Sequence, residues 1–481
     1  MADVIWQAWN SIWSIPHIHT WLGLGWALYL LWLGGWIVLQ KREPVATLSW
    51  LISLAALPYL GFFIYYIFGP QRLVRHRARR ERRHVSLPPD ASPLGRTVQE
   101  LRTLAQATTG LAPSTACDVR LLVDGCSKYP ALLDAIAHAC HHVHLEYYIF
   151  EPDHTGRALV EVLAERARAG VAVRLLLDAV GSKRAARSGL FQPLLAAGGA
   201  LAWFHPPRLW LPWRRPLVNL RTHRKIVVVD GHIGFIGGIN LTDEEDPRLR
   251  PDAYRDLHLR IEGDAVRKLQ DVFVDDWAYA TGDKRFLRDV ACQMPPPCPG
   301  KVKVQLLTSG PDSPWEAIHR LHVAAIHAAE TRVWLATPYF VPGEAAMMAL
   351  TSAALGGLDV RLLVPCMSDS RLVTWCVRSF YDELLAAGVK IHEYGPRMLH
   401  SKALLVDDHL AIIGSANFDH RSFRLNFEAS LLIDDHDIAA QLDSLLDHEF
   451  RQSSPVTSAR PRPLLTARLP EAIARLFAPL L

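Results

Sequence analysis

One stretch of this chain is spelled twice, and the repetition constrains the fold more than any other feature. The first copy carries His223, Lys225, Asp230, Gly237 and Asn240; the second carries His400, Lys402, Asp407, Gly414 and Asn417 at the same spacings. A small residue follows each glycine, Gly238 in the first copy and Ser415 in the second. Agreement at five polar or glycine positions is not a packing coincidence. It predicts two half-sites that close on one reaction centre.

Each copy reads as a hairpin. In a strand, residues two apart share a face, so His and Lys stand side by side. An apolar run follows (Ile226–Val229, Ala403–Val406), then a turn at Asp230-Gly231 or Asp407-Asp408. The returning strand brings Gly238 or Ser415, and then Asn240 or Asn417, back beside the His. The two Asp belong to the repeated signature and are grouped with its catalytic set. Five residues of strand nevertheless put each about 16 Å from its Lys, which favours a turn-capping carboxylate.

Two imidazoles, two ammoniums and two amides suit a phosphodiester. One His attacks phosphorus and becomes covalently loaded. The other protonates the departing alcohol and then deprotonates the incoming one. Lys225, Lys402, Asn240 and Asn417, with the backbone at Gly238 and Ser415, neutralise the non-bridging oxygens. No carboxylate cluster of metal-binding spacing accompanies the set, so neither metal nor cofactor is expected. Burying His and Lys twice for packing alone would cost desolvation without return.

The surrounding chain is a duplication. Strand and helix patterns alternate from Val119, and the second half retraces the order. Val360–Pro365 repeats Val173–Asp178, and Leu384–Gly388 repeats Leu194–Gly198. This predicts an α/β fold of two duplicated units, 117–293 and 303–481, with the site at their pseudo-two-fold interface and a seam at 294–302.

Residues 1–70 read differently. Two uncharged apolar runs, 21–39 and 45–69, flank Lys41, Arg42 and Glu43. Each is long enough for a transmembrane helix, giving a hairpin. Residues 71–83 hold seven Arg and one Glu, a net of +6; against +4 for the whole chain, the remainder sums to −2. The basic segment keeps its side in the cytoplasm, together with the N-terminus, and suits anionic headgroups. A near-neutral remainder argues against nucleic acid as partner. Seven scattered Cys without a CxxC read as reduced thiols. Residues 85–116 read as a linker with one amphipathic piece, Leu94–Thr108. The Trp- and Arg-rich stretch 203–216 suits a membrane interface, with Trp210 and Trp213 dipping toward headgroups, or a packed rim loop. A homo-oligomer is compatible with the sequence, which does not fix the state.

The repeated residues resemble the phospholipase D superfamily, whose signature is a doubled H-x-K-x4-D-x6-G-[GS]-x-N. The resemblance extends to bacterial cardiolipin synthases of the two-span type. It is carried by His144–Asp153, Asn219–Ile226, Arg255–Gly263, Thr308–Asp312, Thr337–Pro342 and Arg421–Glu428, and it runs from the apolar N-terminal region to the C-terminus. Thr222 stands where the family often has Asn, and Gly343 where it often has Asp. The resemblance implies a bacterial inner-membrane, multi-pass enzyme that makes cardiolipin and glycerol from two phosphatidylglycerol molecules through a phosphatidyl-histidine. It implies His223 as nucleophile and His400 as general acid/base, or the reverse, since the halves are near-equivalent. Glu428 matches the acid that orients a catalytic His, and Asp256 is its candidate counterpart; plain surface carboxylates are the alternative for both. The motif does not itself separate a glycerolipid acceptor from water, as in a phospholipid hydrolase, or from another alcohol.

Overall fold

The computed structural model describes residues 16–39, 48, 51–52, 54, 93–206, 217–283, 286, 295–313 and 315–480. The chain divides into two compact units, Met1–Gln71 with Leu209–Asn219 and Arg72–Arg208 with Leu220–Leu481. In the first, Ile18–Leu39 is a single helix of 22 residues with no charged side chain. Among the described residues no helix is long and apolar enough to cross a membrane. Most of the apolar run 45–69, the basic segment 72–83 and the Trp210–Trp213 loop lie outside the described residues.

The second unit holds two sheets. Its first strand, β1 (Ser114–Ala116), pairs with the second half's sheet. Seven strands follow in the first half: β2 (Asp118–Val123), β3 (His142–Tyr147), β4 (Ala172–Asp178), β5 (Ala200–Phe204), β6 (Ile226–Val229), β7 (Ile233–Gly237) and β8 (Leu257–Glu262). They assemble in the order β2-β8-β7-β6-β3-β4-β5. The second half supplies β9 (Val302–Ser309), β10 (Arg332–Ala336), the short β11 (Phe340–Val341), β12 (Asp359–Pro365), β13 (Lys390–Tyr394), β14 (Ala403–Val406), β15 (Leu410–Gly414), the short β16 (Phe418–Asp419), β17 (Glu428–Asp434) and β18 (Ser453–Pro455). Its sheet runs β1-β9-β17-β15-β14-β10-β12-β13-β18. Without the edge strands β1 and β18, the two orders correspond strand for strand. The senses correspond too: β3, β4 and β5 are parallel, as are β10, β12 and β13, and the other pairings within these seven-strand sets are antiparallel.

The motif hairpins sit in mid-sheet, which explains their uniform apolarity. Ile226 and Val228 face a core shared with Ala403, Leu405 and Ile413 of the other sheet. Val227 and Val229 face the first half's outer helices, and Leu404 and Val406 face the second half's. A strand buried on both faces has no polar side to alternate. Two helices in corresponding places, Asp264–Thr281 and His436–Arg451, contribute to the shared core.

The amphipathic piece expected at Leu94–Thr108 is the helix Pro93–Thr109, whose Leu101 and Ala105 enter the second half's core, and β1 extends that half's sheet. The seam runs beside β1, where Gly300 donates to Thr115 Oγ1 at 2.9 Å. Asp124 opens the helix Asp124–Ala137, in the left-handed region at φ 60°. Among the described residues six cysteines are free.

Candidate active site

Each histidine is mounted on one half and buttressed by the other. The segment entering β6 pairs in parallel with the segment entering β17, bridging Thr222 to Phe427. The His223 amide donates to the Phe427 carbonyl at 2.9 Å. The mirror arrangement bridges Arg255 to Leu399, and the His400 amide donates to the Arg255 carbonyl at 2.7 Å. Each His therefore lies beside the residue that opens the other half's strand. For His223 that residue is Glu428, the first of β17, and for His400 it is Asp256, immediately before β8.

The carboxylates are used accordingly. His223 Nδ1 lies 3.0 and 2.9 Å from the two Glu428 oxygens. His400 Nδ1 lies 2.6 Å from Asp256 Oδ2. A carboxylate on Nδ1 fixes ring orientation and tautomer and leaves Nε2 for chemistry. Both carboxylates are fully buried, and both imidazoles are nearly so. Tyr148 meets the His223 ring edge-on at 5.0 Å, while Tyr254 and Tyr339 lie 5.4 and 6.4 Å from His400.

Each crossing is braced. Arg224 donates to the Glu428 carbonyl at 3.2 Å and pairs with buried Asp276. Thr222, the departure from the family pattern, donates its hydroxyl to buried Glu146. On the other side Asp124 accepts from the Asp256 amide at 3.1 Å and pairs with Arg255 and Arg397, one from each half.

The residues after the glycines differ in a way that matches their partners. A Cβ on Gly238 would fall 2.2 Å from Asp256 Oδ1, so the glycine makes room for that carboxylate. Ser415, in the corresponding place, donates its hydroxyl to Glu428. The lysines differ as well. Lys225 donates to the His223 carbonyl at 2.8 Å. Lys402 contacts Asp256 at 3.3 Å and His400 Nδ1 at 2.8 Å.

The two Asp of the signature stay out of the site. Asp230 accepts from the amides of Cys140, His141 and His142 at 2.7–2.8 Å. Asp407 accepts from those of Glu330, Thr331 and Arg332 at 2.8–3.3 Å. Each ties the far end of its hairpin to the start of the neighbouring strand, β3 or β10, in the left-handed region at φ 51° and 54°. Their grouping with the catalytic residues is therefore corrected: at the opposite end of a four-residue strand, neither carboxylate reaches the histidines.

Asn240 and Asn417 lie just beyond the returning strands and are buried. Both Asn240 nitrogens donate to Glu245 Oε1, the amide at 3.2 Å and the side chain at 3.1 Å. In the second half Ser422 takes that place, its hydroxyl accepting from the Asn417 amide at 3.2 Å. Lys128, fully buried, donates to the Ile239 and Asn240 carbonyls. Sequence reasoning missed Glu245, Ser422 and Lys128. Glu245 and Ser422 each stand five residues past their Asn, a spacing that carries no signal until the loop is folded.

Burial sets the electrostatics. It pulls both imidazoles below their usual range, against the raising effect of Glu428 or Asp256. It lowers Lys402 and brings Lys225 down to about 7. Burial alone would raise the two orienting carboxylates, but His223 and Lys225 outweigh it at Glu428, and Lys402 and His400 at Asp256, so both stay below their ordinary values. Glu245 has no such direct partner: burial, then neighbouring Asp256, push it up. Glu245, Asp256 and His400 place ligand-type atoms within 4.8 Å of one another. The Lys402 ammonium already lies on two of those three residues, so a metal ion there would meet a resident cation.

A family described as cardiolipin synthase, phospholipase D-like domain matches residues 132–277 and 322–450, one match in each half. A second, described as phospholipase D-nuclease N-terminal, matches 27–70. The chain is 39% identical over 464 residues to a "Cardiolipin synthase" of Geobacillus sp. (strain WCH70), covering 92% of this chain and 91% of that one. It is 40% identical over 469 residues to one of Geobacillus thermodenitrificans (strain NG80-2), with the same coverage. Over 462 residues it is 38% identical to "Cardiolipin synthase 2" of Bacillus anthracis, covering 92% and 88%. Among solved structures, the phosphatidylserine synthase of Haemophilus influenzae shares the fold, with a TM-score of 0.60 at 13% identity over 79% of this chain and 98% of that one. With its duplicated sheets, its crossed His–carboxylate pairs and these relatives, the chain belongs to the cardiolipin synthase family of the phospholipase D superfamily and is a phosphatidyltransferase.

Proposed function

We propose that the protein condenses two phosphatidylglycerol molecules into cardiolipin and glycerol by double displacement at this site. His223 Nε2 attacks the phosphorus of the first lipid, and the P–O bond to glycerol breaks as His400 gives that oxygen a proton. The phosphatidyl group then rests on His223. A hydroxyl of the second phosphatidylglycerol gives its proton to His400 and attacks phosphorus, releasing cardiolipin and restoring both imidazoles. Lys225, Lys402, Asn240 and Asn417, with the backbone at Gly238 and Ser415, carry the charge that builds on the non-bridging oxygens. Glu428 and Asp256 hold the two rings. The observation that carries this reading is the crossed pair: two Nδ1-bound histidines, each complete only with the other half's carboxylate.

The reading includes a membrane setting. An apolar segment over residues 1–70, with spans near 21–39 and 45–69, would hold the two phospholipase D-like units, 117–293 and 303–481, at the cytoplasmic face of the inner membrane. The uncharged helix Ile18–Leu39 and the seven arginines of 72–83 support it. The test is the purified protein with phosphatidylglycerol alone. Cardiolipin and free glycerol in equal amounts are expected. Phosphatidic acid and glycerol without cardiolipin would replace the reading with a hydrolase.

A further inference from the structure

The two halves bury their interiors alike but differ at the surface. Among the described residues of the first half, 118–283, the exposed large apolar side chains are Val180, Leu195 and Leu249, scattered and each about 40% exposed. The end of the chain is different. Leu464, Leu465, Leu469, Ile473, Leu476 and Phe477 are all exposed, Leu465 at 74% and Leu476 at 78%. All but Phe477, which caps its end, fall on the helical stretch Leu464–Arg468 continued by Leu469–Leu476. Positions 465, 469, 473 and 476 recur every three to four residues, so they form one stripe. Glu471, Ala474 and Ala478 are buried on the opposite side. The segment is thus docked by Ala474, Ala478 and the buried carboxylate of Glu471 and turns its large apolar residues outward. A soluble surface rarely leaves such a stripe uncovered.

Its position connects it to the site. Arg475 donates to the Ser379 carbonyl at 2.9 Å and lies over the Phe380 ring, at the end of the helix Arg371–Arg378. That helix follows a loop in which Met367 is 62% exposed and Asp369 accepts from the hydroxyl of Tyr339, the tyrosine beside His400. Ala478–Leu480 packs against His420–Arg424, the helix whose Ser422 holds Asn417. The stripe is therefore braced on the two elements that border the second half-site.

Charge favours one occupant. Residues 456–480 contain four Arg and one Glu, a net of +3. Arg460 and Arg462 are engaged with Asp382 and Glu471; Arg468 is exposed, and Arg475 is half-exposed with Glu383 at 3.5 Å. An apolar stripe edged by arginine matches an anionic lipid surface, where leucines enter the acyl boundary and arginines meet phosphates.

We infer that Leu464–Leu480 is a second lipid contact, an interfacial segment that lies in the surface of an anionic bilayer and sets the mouth of the second half-site against it. The inference rests on the lipid substrate proposed above. The experiment reconstitutes the full chain in vesicles that contain a phosphatidylglycerol bearing a photoactivatable diazirine in its acyl chain. After illumination, labelled residues are mapped by peptide mass spectrometry, and cardiolipin is measured in the same vesicles. Labels at Leu465, Leu469, Ile473, Leu476 or Phe477, with none at Leu195 or Leu249, are expected. Labels in the N-terminal apolar runs but none in 464–480 would overturn the inference, and would mean that protein covers the stripe. Turnover without such labels removes this contact and leaves the proposed reaction standing; labels without turnover do the reverse. A Leu469→Ser/Leu476→Ser variant should retain its rate on dispersed short-chain phosphatidylglycerol and fall by about tenfold on vesicles. An equal rate on both, or an equal loss on both, would contradict it.

Discussion

The two motif copies share their signature and differ in how their histidines are held. His223 leans on Glu428, which also receives the Ser415 hydroxyl and the Asn426 amide. His400 leans on Asp256, which receives Lys402, has Gly238 against it and has Glu245 close by. Beside its histidine, Glu428 takes two neutral side-chain donors, whereas Asp256 takes the Lys402 ammonium directly. Duplication set two identical frames face to face, and the residues around the signature then made the half-sites unequal. Inequality is what a double displacement needs, because one imidazole must start neutral and the other must start as a proton donor.

The largest expected effect comes from exchanging the small residues. Gly238→Ser would drive Asp256 off His400 and should cut kcat on the order of a thousandfold. Ser415→Gly only removes one donor from Glu428 and should cost about tenfold. Comparable losses in steady-state cardiolipin assays would show that the carboxylates are not held differently.

The lysines should separate in stability. Lys402→Met strips the cation from buried Asp256 and should destabilise by about 3–5 kcal/mol in chemical denaturation. Lys225→Met should cost clearly less, since Lys225 bonds only to its own motif's carbonyl. The pH dependence of Lys225 has a definite sign. Its pKa falls from 10.5 unfolded to about 7 folded. Between those values the unfolded chain binds the extra proton, so this group makes stability rise with pH from about 7 to 10.5. Lys225→Met should flatten that rise.

Asp407→Ala and Asp230→Ala should each lose about 1–3 kcal/mol through amides left without an acceptor, with kcat of the folded fraction unchanged. A kcat loss at full folding would return these residues to the chemistry. The smallest change is at Glu245. Its charge raises His400 and has no counterpart around His223. Glu245→Gln should therefore move the alkaline limb of the kcat/KM profile, where the acid must stay protonated, to lower pH. An unmoved limb would confine Glu245 to holding Asn240.

Much of this was legible in the sequence because strand geometry is periodic. His-x-Lys on one face, an apolar run buried on both sides and a small-residue return are local facts, and β6, β7, β14 and β15 follow from them. The distance argument for Asp230 and Asp407 used only the rise per residue, and both cap a strand start. What the sequence withheld was non-local. Glu428 and Asp256 are reached from the sequence only through the family resemblance; no local pattern says that each holds the histidine of the other half, 205 and 144 residues away. The amphipathic piece Leu94–Thr108 was legible as such, but only the second half's core shows what its apolar face packs against.

The central claim is that one loaded histidine, His223, links two chemical steps across the crossed pairs. The direct measurement is a rapid quench at high pH, where phosphohistidine survives, during turnover of isotopically labelled phosphatidylglycerol, followed by peptide mapping. The account predicts a phosphatidyl adduct on the peptide bearing His223, lost in His223→Ala and absent from the peptide bearing His400. An adduct on His400 would exchange the roles of the two halves, and cardiolipin formed with no protein-bound phosphorus at any time would contradict the double displacement itself.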